Sequence, residues 1–180
     1  MRVCHVYDTR LTINQDLRMQ ANEIDIAKEI LGETGKALRS GDFARFRVHF
    51  CLPFAVWTRI GARQLATPDE LEQSFERVRW HYRSLKVSDL VRRCEFAIKM
   101  QPTEILSVHS VELYRDGVMV APPHRVLSKL SLQGKRWQID SADYCVSKSL
   151  SHCRALVGDL CEPNSLEVSA QNDAVKVAHL

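Results

Sequence analysis

His124–Tyr144 reads HRVLSKLSLQGKRWQIDSADY, and the fold turns on how this stretch is read. Leu130 and Leu132 alternate with polar residues up to Gly134, and Trp137 and Ile139 resume the alternation beyond it. Period-two patterning on both sides of a glycine turn predicts a β-hairpin. Working backwards, Ile105–Tyr114 predicts a further strand and Asp116-Gly117 a turn. Val118–Leu132 and Lys135–Ser147 then complete an antiparallel meander. Pro122 and Pro123 lack the N–H that a ladder needs, so the strand containing them begins at an edge or bends there. Upstream, Leu90, Cys94, Phe96, Ile98 and Met100 predict one face of a strand, with Arg93, Glu95 and Lys99 on the other. Arg92 interrupts the apolar face. A place at the rim is the preferred reading; burial would point to an anionic group on a ligand.

The first half of the chain has helical spacing. Ala27, Ile30, Leu31, Thr34, Ala37 and Leu38 recur every three or four residues and predict a helix over Glu23–Ser40. Gly41 closes it and Asp42 caps the next, which carries Phe43, Phe46 and Phe50 and is expected to stop at Pro53. Phe54–Ile60 reads as a short buried strand. Thr67-Pro68-Asp69-Glu70 then places a capping hydroxyl, a proline at the first helical position and a carboxylate three residues after the cap. Leu71, Phe75, Val78, Tyr82 and Leu85 continue that third helix as its apolar stripe.

Composition narrows the function classes. A formal net charge of +3 is small, and the arginines of the third helix are interleaved with Glu70, Glu72 and Glu76, so there is no basic run to suggest nucleic-acid binding. The N-terminus has charges at Arg2, Asp8 and Arg10 in place of a signal-peptide apolar core, and no run approaches the roughly twenty apolar residues of a membrane span. A cytoplasmic protein without membrane attachment is expected. The six cysteines form no C-x-x-C pair, and no histidine spacing completes a zinc pattern, so no metal site is expected. Cys51 and Cys94 lie among apolar neighbours and read as reduced core thiols, whereas Cys153 and Cys161 fall in a polar tail.

Three helices, a short strand between the second and third, then four longer strands resemble the nuclear transport factor 2-like superfamily, which includes SnoaL-like polyketide cyclases and ketosteroid isomerases. The likeness is carried by Gly41-Asp42-Phe43, Leu52-Pro53, Thr67-Pro68-Asp69-Glu70-Leu71 and Gly134-Lys135-Arg136-Trp137-Gln138-Ile139, and covers roughly Glu23 to Ser147. It implies an α+β fold, a cone of three N-terminal helices packed on a strongly curved, mainly antiparallel sheet with a pocket inside. It also implies a homodimer through the outer sheet face. The expected divisions are an N-terminal extension at 1–22, the SnoaL-like domain at 23–148, and a partly disordered tail at 149–180 that adds little to the core.

The resemblance fixes no chemistry. A ketosteroid isomerase needs a carboxylate base near the start of the first strand, where this chain has Pro53-Phe54-Ala55-Val56-Trp57. A SnoaL-like cyclase uses a pocket aspartate. Asp140 and Asp143, three apart, lie on opposite strand faces, so at most one points inward. His109 shares a face with Ile105, Val111 and Leu113, and is either a core histidine bonded to a backbone carbonyl or a pocket acid–base with Asp140 or Tyr144 as partner. His49 reads as packing at the pocket mouth, His81 as partly exposed on its helix, and His124 as solvent-facing. Phe46, Phe50, Trp57, Phe75, Tyr82 and Phe96 are expected to converge as the apolar lining of a small-molecule site, or as a filled core. The leading reading is a pocket that binds a small hydrophobic molecule without a cofactor. The alternatives are a lyase, isomerase or cyclase using the pocket histidine, and a homodimeric interaction module with a vestigial pocket.

Overall fold

The first helical run is longer than its periodicity implies. In a computed structural model, which describes residues 9–144 and 150–158 and, of these, the side chains of 22–144 and 151–158, helix α1 spans Thr9–Ser40. It thus begins fourteen residues before Glu23, within the stretch assigned to an extension. Gly41 ends it at φ +78°, a left-handed conformation that favours glycine. The Asp42 side chain accepts from the Arg45 N–H at 2.9 Å and caps α2, Phe43–Arg47. That helix is shorter than expected, because the chain is already extended by Phe50.

Strand β1, Phe50–Thr58, contains Pro53, with a cis Leu52–Pro53 peptide. The proline does not precede the strand. It is tolerated within it because the pairing register jumps between Phe50 and Ala55 on one side and begins only at Phe54 on the other, leaving Pro53 with no ladder bond to supply. Strand β2, Gly61–Leu65, folds back antiparallel on β1 and has too little alternation to announce itself. Helix α3, Pro68–Ser84, has the predicted capping box. Thr67 Oγ1 accepts from the Glu70 N–H at 3.2 Å, and Glu70 Oε2 accepts from the Thr67 N–H at 3.1 Å.

The remaining strands are β3 (Asp89–Gln101), β4 (Glu104–Arg115), the two-residue β5 (Val118–Met119), β6 (His124–Gln133) and β7 (Arg136–Asp143). Pro122 and Pro123 separate β5 from β6. The sheet is ordered β2-β1-β7-β6-β4-β3, with β5 at the end of β4. All pairs are antiparallel except β1 with β7. It curls into a half-barrel, and α1 lies along β3 while α2 and α3 close the concave side. Phe54, Val56, Ile105, Val111, Val126, Leu130 and Ile139 point inward from the strands and meet Ala27, Ile30, Ala37, Leu71, Phe75 and Val78 from the helices, all buried. At roughly 1.5–3 kcal/mol for each large side chain taken from water, this one cluster is the main favourable term in folding.

A fourth helix corrects the reading of the tail. Helix α4, Leu150–Val157, packs against α3 and the β1–β2 hairpin and buries His152, Cys153, Ala155 and Leu156. Its C-terminal carbonyls are satisfied by α3 side chains, Ser74 Oγ donating to Leu156 O at 3.4 Å and Arg77 Nε to Ala155 O at 3.2 Å. Cys153 is accordingly a core thiol. The expected loss of order over the last residues, and Cys4, Cys145 and Cys161, lie outside the described residues.

Candidate functional site

The cone encloses an internal cavity of about 70 Å³. One wall is made of phenylalanines. Phe46 from α2, Phe50 and Phe54 from β1 and Phe75 from α3 stack in sequence, with ring centroids 4.5 Å (Phe46–Phe50), 4.7 Å (Phe46–Phe75) and 5.0 Å (Phe50–Phe54) apart. Tilted and edge-on pairs at these distances are favourable beyond the area they bury.

The opposite wall is polar and aromatic together. Tyr82 (α3), Arg92 (β3), His109 (β4), Tyr144 (after β7) and His152 (α4) line the cavity. His81 and His124 lie behind them, both buried. His152 is the hub: its ring centroid is 4.8 Å from His124, 5.6 Å from His81, 5.6 Å from Tyr144 and 5.9 Å from the parallel ring of Tyr82. Burial drives every imidazole of the group towards its neutral form. His109 is held down to about 3 by burial first, then by the nearby charge of Arg92 and by His124. His81, His124 and His152 are lowered for the same leading reason. Burial pushes the Tyr82 and Tyr144 phenols up, against a smaller pull from Arg92, so both keep their protons.

Arg92 is fixed from behind by α1. Its Nη2 donates to Leu31 O at 2.5 Å and to Thr34 Oγ1 at 2.8 Å, and Thr34 in turn donates to Ile30 O at 2.7 Å. The helix is bare at this point because residue 35 is glycine: a Cβ there would stand 2.9 Å from Arg92 Nη2. Gly35 thus trades helix propensity for close approach of the guanidinium. Among the described residues no group of three or more His, Cys, Asp or Glu is arranged to hold a metal ion, and no helix is long and apolar enough to cross a membrane.

No protein-family model and no curated protein matches the sequence. Solved structures do match the backbone. An NTF-2 like protein of unknown function from Shewanella oneidensis is 14% identical over 66% of this chain and 95% of that one, with a TM-score of 0.54. A domain of unknown function with a cystatin-like fold from Nostoc punctiforme is 13% identical over 87% of this chain and 98% of that one, with a TM-score of 0.56. The chain has the nuclear transport factor 2-like fold.

Within this nuclear transport factor 2-like cone, Phe46, Phe50, Phe75, Tyr82, His109 and Tyr144 meet at the cavity. Asp140 does not. Its carboxylate pairs with Lys129 Nζ at 2.7 Å on the outer face of the sheet. Trp57 is 43% exposed, because strand alternation gives the interior to Phe54, Val56 and Thr58. Phe96 is 39% exposed, because a bulge between Cys94 and Phe96 slips the register, hands the inward position to Ala97 and turns Phe96 out. Arg92, half-buried, lines the cavity and also borders a surface groove between α1 and β3. His49 is half-buried outside the cavity.

His81, His124 and His152 are the members that sequence reasoning missed. Two were within reach of pattern. His81 continues the α3 stripe of Leu71, Ser74, Phe75 and Val78, all buried, so it is no more exposed than they are. His124 shares inward parity with Val126, Ser128 and Leu130. His152 had a weaker signal, because its eight-residue helix is too short for a sustained period, although Gly158, at φ +91°, closes it.

Proposed function

We propose that the protein binds a small, mostly apolar molecule inside the cone. The observation that carries this reading is a cavity walled by four phenylalanines and faced by only a few polar side chains, which is the character of small-molecule sites. At about 70 Å³ it suits a ligand much smaller than the roughly 300–1,000 Å³ of drug-sized pockets. Binding is favoured over proton transfer. A general base works best with a pKa near the working pH, whereas His109 is held to about 3, and Asp140 lies on the other side of the sheet. At neutral pH His109 is thus a hydrogen-bonding surface and not a base in waiting.

The test is native mass spectrometry of the purified protein, followed by ligand-detected NMR with whatever copurifies. Ala142→Leu, which fills the cavity from a buried lining position, should abolish binding while the fold survives. Undiminished binding by that variant would place the ligand elsewhere, and turnover of the bound compound that disappears in His109→Ala would replace the binding reading with an enzymatic one.

A second reading concerns assembly. Phe96, Val108, Leu127, Asp143 and Trp57 are successive cross-strand neighbours on the outer face, and Phe96, Leu127 and Trp57 are all exposed. Three exposed apolar side chains along this row, with Asp143 between Leu127 and Trp57, favour pairing with a second copy about a two-fold axis. Light scattering should give twice the 20.6 kDa chain mass, and Trp57→Lys should halve it; a wild type that stays at one chain mass at high micromolar concentration removes this reading.

A further inference from the structure

Arg92 is the one charged side chain among the residues lining the cavity, and no Asp or Glu lines it. It has no ion-pair partner among the described residues. Its two protein acceptors, Leu31 O and Thr34 Oγ1, are both neutral and both engage Nη2, so the Nε–H and the two Nη1–H donors make no hydrogen bond to described residues. Arg92 is half-buried, and these three N–H donors stay available to an anion at the cavity. The sequence also accepts a helical glycine at position 35 to hold this group in place. Two protonated phenols, Tyr82 and Tyr144, are close enough to Arg92 to interact with its charge, and each is a hydrogen-bond donor.

We propose that the molecule bound in this cavity is a small monocarboxylate, its carboxylate taken up by Arg92 and the two tyrosine hydroxyls and its apolar body lying on the phenylalanine wall. This rests on the cavity being a ligand site, and adds the chemical class. The forked, planar donors of arginine match a carboxylate. One half-buried cation balances one negative charge, whereas a phosphate monoester would bring nearly two into a wall that is otherwise uncharged. His109, neutral beside the arginine, adds no competing charge.

The experiment is calorimetric titration of the full chain with benzoate and straight-chain monocarboxylates of three to eight carbons, each paired with its primary amide, and with phenyl phosphate. At least one carboxylate should bind about tenfold or more tightly than its amide, in keeping with a charge-assisted contact in a buried site. Arg92→Gln should erase that preference, and Tyr144→Phe should reduce it. If Arg92→Gln does not fold, Gly35→Ala serves instead: its Cβ displaces the guanidinium without touching the cavity, and the preference should fall there too.

Equal binding of acids and amides overturns the carboxylate and leaves the apolar pocket standing. Tighter binding of phenyl phosphate than of benzoate overturns the single-charge argument. Arg92 also borders a surface groove with Lys28, Lys36 and Arg39; a carboxylate preference lost in Arg39→Gln and kept in Tyr144→Phe would move the anion to that groove and overturn the proposal. Absence of binding by every acid and amide below 1 mM, an order-of-magnitude ceiling of about −4 kcal/mol, overturns both the carboxylate and the pocket reading beneath it.

Discussion

The two walls of the cavity are built on opposite terms. The phenylalanine wall is local: Phe46, Phe50, Phe54 and Phe75 come from α2, β1 and α3, within thirty residues of one another, and bury apolar rings against apolar rings. The histidine wall has two lining members, His109 from β4 and His152 from α4, backed by His81 from α3 and His124 from β6. It buries imidazoles that include His81 Nε2, His109 Nδ1 and His124 Nε2, none of which finds a hydrogen-bond partner among the described residues. Unpaired buried polar atoms cost stability. The first wall therefore holds the domain together, while the second is kept at the expense of the fold, as expected where a site needs polar groups in a dry place.

The largest expected effect that separates the walls is acid sensitivity. An imidazole that stays neutral when folded but protonates near 6.5 when unfolded makes no pH-dependent contribution above that value. Below it, the unfolded state binds the extra proton, and stability falls by about 1.4 kcal/mol per pH unit for each such group until the folded pKa is reached. For His109 that window runs from 6.5 down to about 3. His109 and His152, the two most strongly lowered, together remove roughly 2.7 kcal/mol per unit, and His81 and His124 act in the same direction. Carboxylates with lowered pKa values, Glu33, Glu70 and Glu112, add their own loss only below about 4.5. Melting temperature should thus begin to fall below pH 6.5. A curve flat down to pH 4.5 would mean that the histidine wall is hydrated or charged, and the contrast between the walls would disappear.

Next in size is Phe75→Ala. Phe75 is 1% exposed and stands at the centre of the other wall, so its loss should cost about 3–5 kcal/mol. The loss should be the same at pH 8 and pH 6, measured by urea denaturation. A pH-dependent cost would show that the two walls are coupled through the cavity.

The contrast between the walls also sets how much of each could be read from the sequence. Helical periodicity found Phe75 on the long α3 and Phe46 on the short α2, and named Phe50 although the chain is already extended there, while the Thr67–Glu70 capping box marked the start of α3 to the residue. Parity fails wherever a strand slips: nothing in Arg93-Cys94-Glu95-Phe96 announces the bulge that turns Phe96 outward and keeps Arg92 inside. The histidine wall was mostly illegible for another reason. Its members carry no shared motif, and they become neighbours only when α4 folds back across the end of the cone, a contact more than seventy residues long in sequence between Ser74 and Leu156. Whether a residue such as His124 meets solvent or a second ring depends on that late helix.

That dependence makes Leu156→Ala the third test. Leu156 is buried on α4 and lines the cavity, so truncating it should cost about 2–3 kcal/mol, near the lower end for leucine because the site is at the cavity edge and can partly collapse. The variant should also steepen amide exchange at Tyr144 and in α4 before it affects β4 and β6. Unchanged stability would mean that α4 is not a fixed part of the histidine wall.

The smallest expected effect is the most telling. His81 is 4% exposed, its Nε2 has no hydrogen-bond partner among the described residues, and leucine is of similar volume, so His81→Leu exchanges an unsatisfied buried donor–acceptor for an apolar group. Replacing a polar group in that condition by an apolar one of like shape is close to neutral or stabilising. Stability at pH 7.5 should move by less than about 1 kcal/mol, towards greater stability, while the fall in stability just below pH 6.5 should become shallower, because burial holds the His81 imidazole below its ordinary range. Phe75→Ala should do the reverse, losing stability at every pH and leaving the slope alone. If His81→Leu instead cost 3 kcal/mol or more at neutral pH, about what a lost core ring costs, the histidine would be part of the scaffold and the division of the cavity into a stabilising wall and a costly one would fail.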